Sequence, residues 1–487
     1  MPRHGQSGRQ QKVSPKTMAE AETTPAHNSE PDSKSGRAKL ASGSIPGHLV
    51  AQTAPAIVGV AAIMSVGVID AYFVGQLGGA ELAAISFIFP VTTALSSLGV
   101  GMMVGINSVV SRALGEGDEE RAHARANVGI IVGVIAGLLI GLALFALRQP
   151  LFSLMQADAE TLPLIDEYMA PFALGFPLML SMMGMNGVLR GQGAAKSNTA
   201  VLVVYSVTNW ILDPLLITGA FGLDGFGIAG AAYATIGGWI TGIVTAFWLL
   251  GRHDLPFKPS TTRHCNWKQQ LAAISRVAGP AAFTNSINPA GLAILTSFLA
   301  VEGQAAVAGF GAGGRLQSFA VVPLLALSGS IGAIIGQNWG ARQYDRARRA
   351  LWQAGLFCLG YGLAAGLILY FARGWFAGLF SEEPQVLDAT VKYLAISVWG
   401  YAGYGVLIVV NGALNAIDKA SRALALSLTR VLLVMIPFAW FARAALGTEA
   451  IYIAELVANL SGGIIAAALA WWVMWHRAKA RESGEKS

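Results

Sequence analysis

Charge is scarce in this chain: of 487 residues only 12% are Asp, Glu, Lys or Arg, 54% are hydrophobic, and the mean hydropathy is +0.54. Soluble domains carry about a quarter charged residues, so a soluble fold is excluded. Cysteine is nearly absent. The two present, Cys265 and Cys358, stand far apart, which leaves no CxxC metal or redox motif and no structural disulfide. Catalytic signatures are missing as well. There is no HExxH, GxSxG or Walker A pattern, and all seven histidines fall outside the interiors of the apolar runs. These absences set aside an enzyme, a bound cofactor and a pump that hydrolyses ATP in this chain.

What is present is a succession of apolar runs, each long enough to cross about 30 Å of hydrocarbon at about 1.5 Å per residue. Twelve spans are read, approximately 49–75, 81–111, 126–147, 165–189, 197–219, 226–250, 274–300, 305–335, 350–372, 390–414, 423–444 and 449–475. Runs of this length satisfy their backbone polar groups in lipid only as helices. The fold class is therefore an all-α polytopic membrane protein. Residues 1–45 lack an apolar segment or a cleavable signal and read as a disordered cytoplasmic tail.

Orientation follows from lysine and arginine. The loops after the even-numbered spans hold Arg112, Arg121, Arg125, Arg190, Lys196, Arg252, Lys258, Arg263, Arg342, Arg346, Lys419 and Arg422, and the final tail adds Arg477, Lys479 and Arg481. The opposite loops hold few. Both termini are therefore expected in the cytoplasm. The net charge of +6 is a topology signal and no sign of nucleic-acid binding.

An internal repeat accompanies this pattern. At one offset of 225 residues, Pro55 falls on Pro280, Gly115 on Gly340, Asn186 on Asn411 and Gly187 on Gly412. An even number of spans separates equivalent points, so the two halves share one orientation. The expected domains are an N-terminal lobe at 46–250, a linker at 251–273, a C-terminal lobe at 274–475 and a second tail at 476–487. Parallel repeats of this kind place a substrate path at their interface, with access alternating by rocking of the lobes.

Against this background one stretch stands out. T-N-W-I-L-D-P-L-L-I, 208–217, buries Asp213 in an apolar run, with Asn209 one turn earlier on the same face. Asp70 of the first span and Asp213 lie about 30 Å and 24 Å along their helices from the inner ends, both in the outer half, and Thr235 reaches a comparable level. Pro214 removes a backbone donor, which frees the carbonyl of Trp210 and kinks the helix. At the offset of 225, Asp70, Asn209 and Asp213 meet Leu295, Val434 and Phe438, so this polar set belongs to one lobe. An oxygen-rich pocket with two carboxylates can hold H⁺, and Na⁺ would satisfy the same oxygens.

The segments I-D-A-Y-F-V-G-Q-L-G (69–78), N-G-V-L-R-G-Q-G (186–193), N-W-I-L-D-P-L-L-I (209–217) and G-I-A-G-A-A-Y-A-T (227–235) resemble the multidrug and toxic compound extrusion (MATE) family of twelve-helix exporters over about residues 46–475. The resemblance implies two six-helix lobes around a central cleft. It implies cation coupling at Asp70, Asn209 and Asp213 with a contribution from Thr235, and export of amphiphilic or cationic organic compounds in exchange for H⁺ or Na⁺. It also implies a bacterial inner-membrane location; the chain is read as a monomer. One branch of the family carries acidic residues on helices seven and ten. Spans seven and ten here have none, so the sequence looks like the DinF-like branch, and H⁺ is the expected ion with Na⁺ the alternative.

Met182 and Met185 of span four, with Asn285 and Asn288 of span seven, are candidate substrate contacts, and ordinary helix packing is the competing account. Arg315 and Arg430 read as internal to their lobe, bonded to carbonyls. A flippase for lipid-linked sugars and an exporter of one specific metabolite would share this architecture.

Overall fold

The computed structural model describes residues 38–219, 224–263 and 265–482, with side chains as far as Trp475. The tail before residue 38, residues 483–487 and the side chains of 476–482 lie outside that set. Among the described residues there is no strand. Side chains recognisable in the sequence start several helices. Ser44, Asp118 and Asn266 accept hydrogen bonds from the backbone N–H of Gly47, Arg121 and Gln269 and so cap α1, α3 and α7.

The N-terminal lobe comprises α1 (Ile45–Gly75), α2 (Gly79–Gly115), α3 (Glu119–Leu154), α4 (Thr161–Gly191), α5 (Ala195–Asp213) and α6 (Ile228–Leu250). The C-terminal lobe begins with α7 (Trp267–Ala300). Its second span is two helices, α8 (Gln304–Ala320) and α9 (Val322–Gly340), meeting at a 44° bend. Next come α10 (Tyr344–Phe371), a short α11 (Arg373–Gly378), and α12 (Pro384–Ser397) with α13 (Tyr401–Ala416), joined through a 3-10 turn. Last are α14 (Ala420–Leu428) and α15 (Ile436–Leu446), joined through a π-helical stretch, and α16 (Glu449–Glu482).

Ten spans are long and apolar enough to cross a membrane, and the bent pair α8–α9 makes an eleventh. The twelfth, α7, is 34 residues long but more polar, because Arg276, Thr284, Asn285, Ser286 and Asn288 interrupt it. Twelve spans in two lobes is the architecture expected.

The repeat is also a repeat of packing. In one lobe α1 packs on α5, α3 on α4 and α4 on α6; in the other α7 packs on α14, α10 on α13 and α13 on α16. Backbones approach at matching points. A Cβ on Gly137 would lie 2.6 Å from the Cα of Pro177, and one on Gly362 would lie 2.5 Å from the Cα of Ala402. Both members of each pair are related by 225 residues, as are Gly187 with Met103 O and Gly412 with Ser328 O. Such separations admit only glycine.

The lobes meet at the ends that bear the basic loops. There α2 crosses α9 backbone to backbone. A Cβ on Gly115 would stand 2.1 Å from Gln337 O, and one on Gly340 would stand 2.3 Å from Arg112 O, again an exchange of equivalent residues. Ser108 Oγ donates to Asn415 O at 2.6 Å and Gln337 Nε2 to Gly191 O at 2.9 Å. Arg112 lies 3.6 Å from Asp418. Among the described residues no hydrogen bond or ion pair joins the lobes at the opposite ends. The polar seam between the lobes thus lies at the basic end, and the state is read as open towards the other.

Residues 38–44, expected within the disordered tail, are instead pinned across this seam. Leu40, 2% exposed, donates its N–H to Gln337 Oε1 at 2.9 Å and accepts from Asn338 Nδ2 at 3.0 Å. Lys39 pairs with Asp254 at 3.1 Å. Backbone bonds of this kind order a segment whose composition alone gives no sign of it.

Candidate functional site

Between the lobes lies a cavity of about 640 Å³, within the range of small-molecule sites. Asp70, Thr235, Tyr168, Phe172, Tyr205 and Trp239 line its N-lobe side; Asn285, Asn288, Tyr404 and Arg430 line the other. Its floor, next to the seam, carries Asn107, Ser108, Arg190, Asn411 and Asn415. The aromatic wall is continuous. Tyr168 stacks on Phe172 at 5.6 Å between centroids, and Phe172 meets Trp239 edge-on at 5.3 Å.

The structure brings together the carboxylates and amide singled out from sequence. Asn209 and Asp213 are fully buried, and Asn209 Nδ2 donates to Asp70 Oδ1 at 3.4 Å. Asp213 has no N–H or hydroxyl donor on either oxygen; its neighbour is the carboxyl of Asp70, within hydrogen-bonding reach. Two carboxylates placed together in a desolvated site favour the uptake of a proton. Asp70 opens on the cavity while Asp213 sits behind it. At Pro214 the helix changes: α5 ends at Asp213 and the chain widens into a π-helical turn, Pro214–Thr218, closed by Gly219 at φ 77°.

The substrate-contact candidates divide. Met182, Asn285 and Asn288 line the cavity. Met185 does not; it is 6% exposed and packs among apolar neighbours of the N-lobe core. Of the two arginines, Arg430 is internal to its lobe as expected: 3% exposed, it donates to the side-chain carbonyl oxygens of Asn459 and Asn288, lies 5.3 Å from the Tyr404 ring, and lines the cavity. Arg315 is instead exposed.

Sequence reasoning missed two features. Arg190 was taken as loop charge, yet its Nε donates to Asn198 Oδ1 at 3.1 Å, its guanidinium packs on Gly329 of the other lobe, and it forms part of the cavity floor. Glu455 of α16, 2% exposed, is a C-lobe carboxylate outside the two spans searched for one; the polar letter in the apolar run A-I-Y-I-A-E-L-V-A was the available signal. Among the described residues no three His, Cys, Asp or Glu side chains converge as a metal cage.

Comparison with known proteins agrees with this geometry. The MatE family model matches twice, at residues 55–215 and 280–441, two segments that start 225 residues apart, the offset of the internal repeat. An FAD transporter of Shewanella oneidensis is 33% identical, the match covering 85% of this chain and 92% of that protein. A probable multidrug resistance protein of Bacillus subtilis, YoeA, is 26% identical over 70% of this chain and 74% of its own length. The Vibrio cholerae MATE transporter VcmN in its bent form superposes with a TM-score of 0.82 at 30% identity, covering 91% of this chain and 98% of that one. The chain is a multi-pass membrane transporter, not an enzyme, and it belongs to the MATE family.

Proposed function

We infer that the protein is a secondary active exporter that couples entry of H⁺ to extrusion of an organic compound by alternating access. It would work as a monomer in the bacterial inner membrane with both termini cytoplasmic, as a member of the DinF-like branch. Asp70, Asn209 and Asp213 form the coupling site, with Thr235 beside it. The observation that carries this reading is the carboxyl pair, one member facing the cavity and one sealed behind it. In the outward-parted state the pair loads from outside. Protonation removes the charge that Asp70 presents to the cavity and lets α1 pack closer to α5, which narrows the N-lobe side and expels the ligand. An inward gradient supplies about 2.3 kcal/mol per charge per 100 mV. Na⁺ on the same oxygens is the alternative ion.

The multidrug relatives support an amphiphilic or cationic organic substrate. A second reading, an exporter of one metabolite carrying phosphate, is favoured by Arg190 and Arg430 on the cavity wall beside a flat aromatic face, and by the relative that transports FAD. Guanidinium groups in a cavity favour anions and oppose cations.

The test is transport in proteoliposomes under an imposed pH or Na⁺ gradient, with ethidium and FAD as probes, for wild type, Asp70→Asn and Asp213→Asn. Uphill movement on the pH gradient, lost in both variants, supports the reading. Variants that pump as well as wild type would sink the coupling site. Gradient-driven movement of FAD but not ethidium selects the metabolite reading. If neither probe moves, the lipid-linked sugar flippase takes the lead.

A further inference from the structure

The C-lobe encloses a ring of three polar side chains that the coupling scheme does not use. Gln317 of α8 donates from Nε2 to Glu455 Oε1 at 2.7 Å; the hydroxyl of Tyr393, on α12, lies 3.0 Å from Glu455 Oε2 and also bonds Gln317 Oε1. All three side chains are buried. Three contacts close the ring, and each needs one hydrogen. Gln317 provides one and Tyr393 one, since an amide oxygen and an ionised carboxylate only accept. The third must sit on the carboxyl of Glu455. Turning the amide of Gln317 over reverses the direction of the ring and leaves the count at three. With the carboxyl protonated, every donor meets an acceptor; with it ionised, two oxygens face each other without a hydrogen, in a place water does not reach.

We propose that Glu455 is a second proton-binding site, carrying a proton in this outward-parted state and exchanging it during transport. Its position fits loading from the parted side, six residues from Glu449 at that end of α16, about 9 Å along the helix. The groups that face it are Gln317 from α8, Tyr393 and Ser397 from α12, Tyr401 and Tyr404 from α13, and Arg430 from the π-helical stretch. Arg430 is the cation among them, and it bonds elsewhere, to Asn459 on the same face of α16 and to Asn288 at the cavity. Loss of the proton from Glu455 creates a charge that draws Arg430 away from Asn288, and the cavity wall changes with it. Gln317 stands close before the α8–α9 bend and Tyr393 before the 3-10 break after α12, so opening the ring also frees two hinges of the lobe.

The N-lobe counterpart of Tyr393 at the offset of 225 is Tyr168, on the cavity wall near Asp70. Each lobe thus keeps a tyrosine beside a buried carboxyl, although the carboxyls come from helices that are not equivalent.

The proposal goes beyond the export reading, and its first test needs no transport. Infrared spectra of the protein in lipid are recorded across pH for Asp70→Asn/Asp213→Asn and for the same background with Glu455→Gln. The carbonyl band of a protonated carboxyl is expected in the double variant, falling as pH rises, and absent from the triple variant. Labelling of Glu455 by a hydrophobic carbodiimide, read by mass spectrometry in unmutated protein, should fall over the same pH range. Identical spectra for the double and triple variants, or a band and labelling fixed at every pH, would overturn the proposal. Glu455→Gln keeps the shape and a hydrogen on the third contact, so it folds. In proteoliposomes it should lower the number of protons moved per substrate by one; an unchanged ratio counts against exchange.

Discussion

The two lobes share a backbone plan and differ in where they keep polarity. Helix pairings and glycine contacts recur at 225 residues, as does the proline pair Pro55 and Pro280. The N-lobe sets its carboxyls on α1 and α5, with one at the cavity; the C-lobe puts Leu295 and Phe438 at those places and hides its carboxyl in α16. At one further offset pair, Tyr205 and Arg430, the cavity meets a phenol on one side and a guanidinium on the other. Architecture that serves both lobes is duplicated, and the buried ionisable groups are not. Under the proposed coupling, this is how a symmetric scaffold would run an asymmetric cycle.

Three experiments sharpen that comparison. The largest effect is expected at the seam. Gly115→Val and Gly340→Val each drive a side chain into a partner carbonyl, overpacking that costs about 1–3 kcal/mol, or roughly 10–100-fold towards the state opened at the basic end. A cysteine at Ser111, labelled by a membrane-impermeant thiol reagent from that side, reads the shift. Equal responses are expected from the two variants, and a response from only one would break the two-fold picture of the seam.

Next comes the unequal pair. Arg430→Gln removes a charged donor worth about 1.5–3 kcal/mol, so under the metabolite reading FAD binding to the purified protein should weaken about tenfold or more, while Tyr205→Phe changes it little. Similar losses in both would place anion recognition outside the C-lobe arginine.

The smallest effect is at the linker. His253, bonded to Ser197 Oγ at 2.8 Å, has its pKa lowered by burial, with Lys39 adding to the depression. A histidine whose folded pKa lies below its unfolded value binds fewer protons when folded, so stability falls as pH drops through the ordinary histidine range. His253→Gln should shrink the loss of melting temperature between pH 7.5 and 5.5. Equal losses would remove His253 from the account.

The span count, the repeat and the Asp70–Asn209–Asp213 cluster were legible because hydropathy, offset and an ionisable letter in an apolar run are local signals. Arg190 was not. Its basic letter at a helix end reads as topology, and only the approach of α9, with Gly329 against the guanidinium, turns it into a cavity wall. Glu455 is legible as an ionisable letter in an apolar run, but it stands on α16 and not on the helices where the family resemblance places C-lobe acids. The order in residues 38–44 depends largely on Gln337 and Asn338, nearly 300 positions away, which a local reading does not reach.

Under the proposed alternating access, that strap makes residues 38–44 a handle on the seam: Leu40 is bonded to the helix end that would part from α2 when the basic end opens, so force or bulk applied upstream would be transmitted to the closure itself. A folded tag fused just ahead of residue 38 will load the gate, whereas a small fluorophore there will report each opening, and for purification the other terminus is the safer place to hold the molecule.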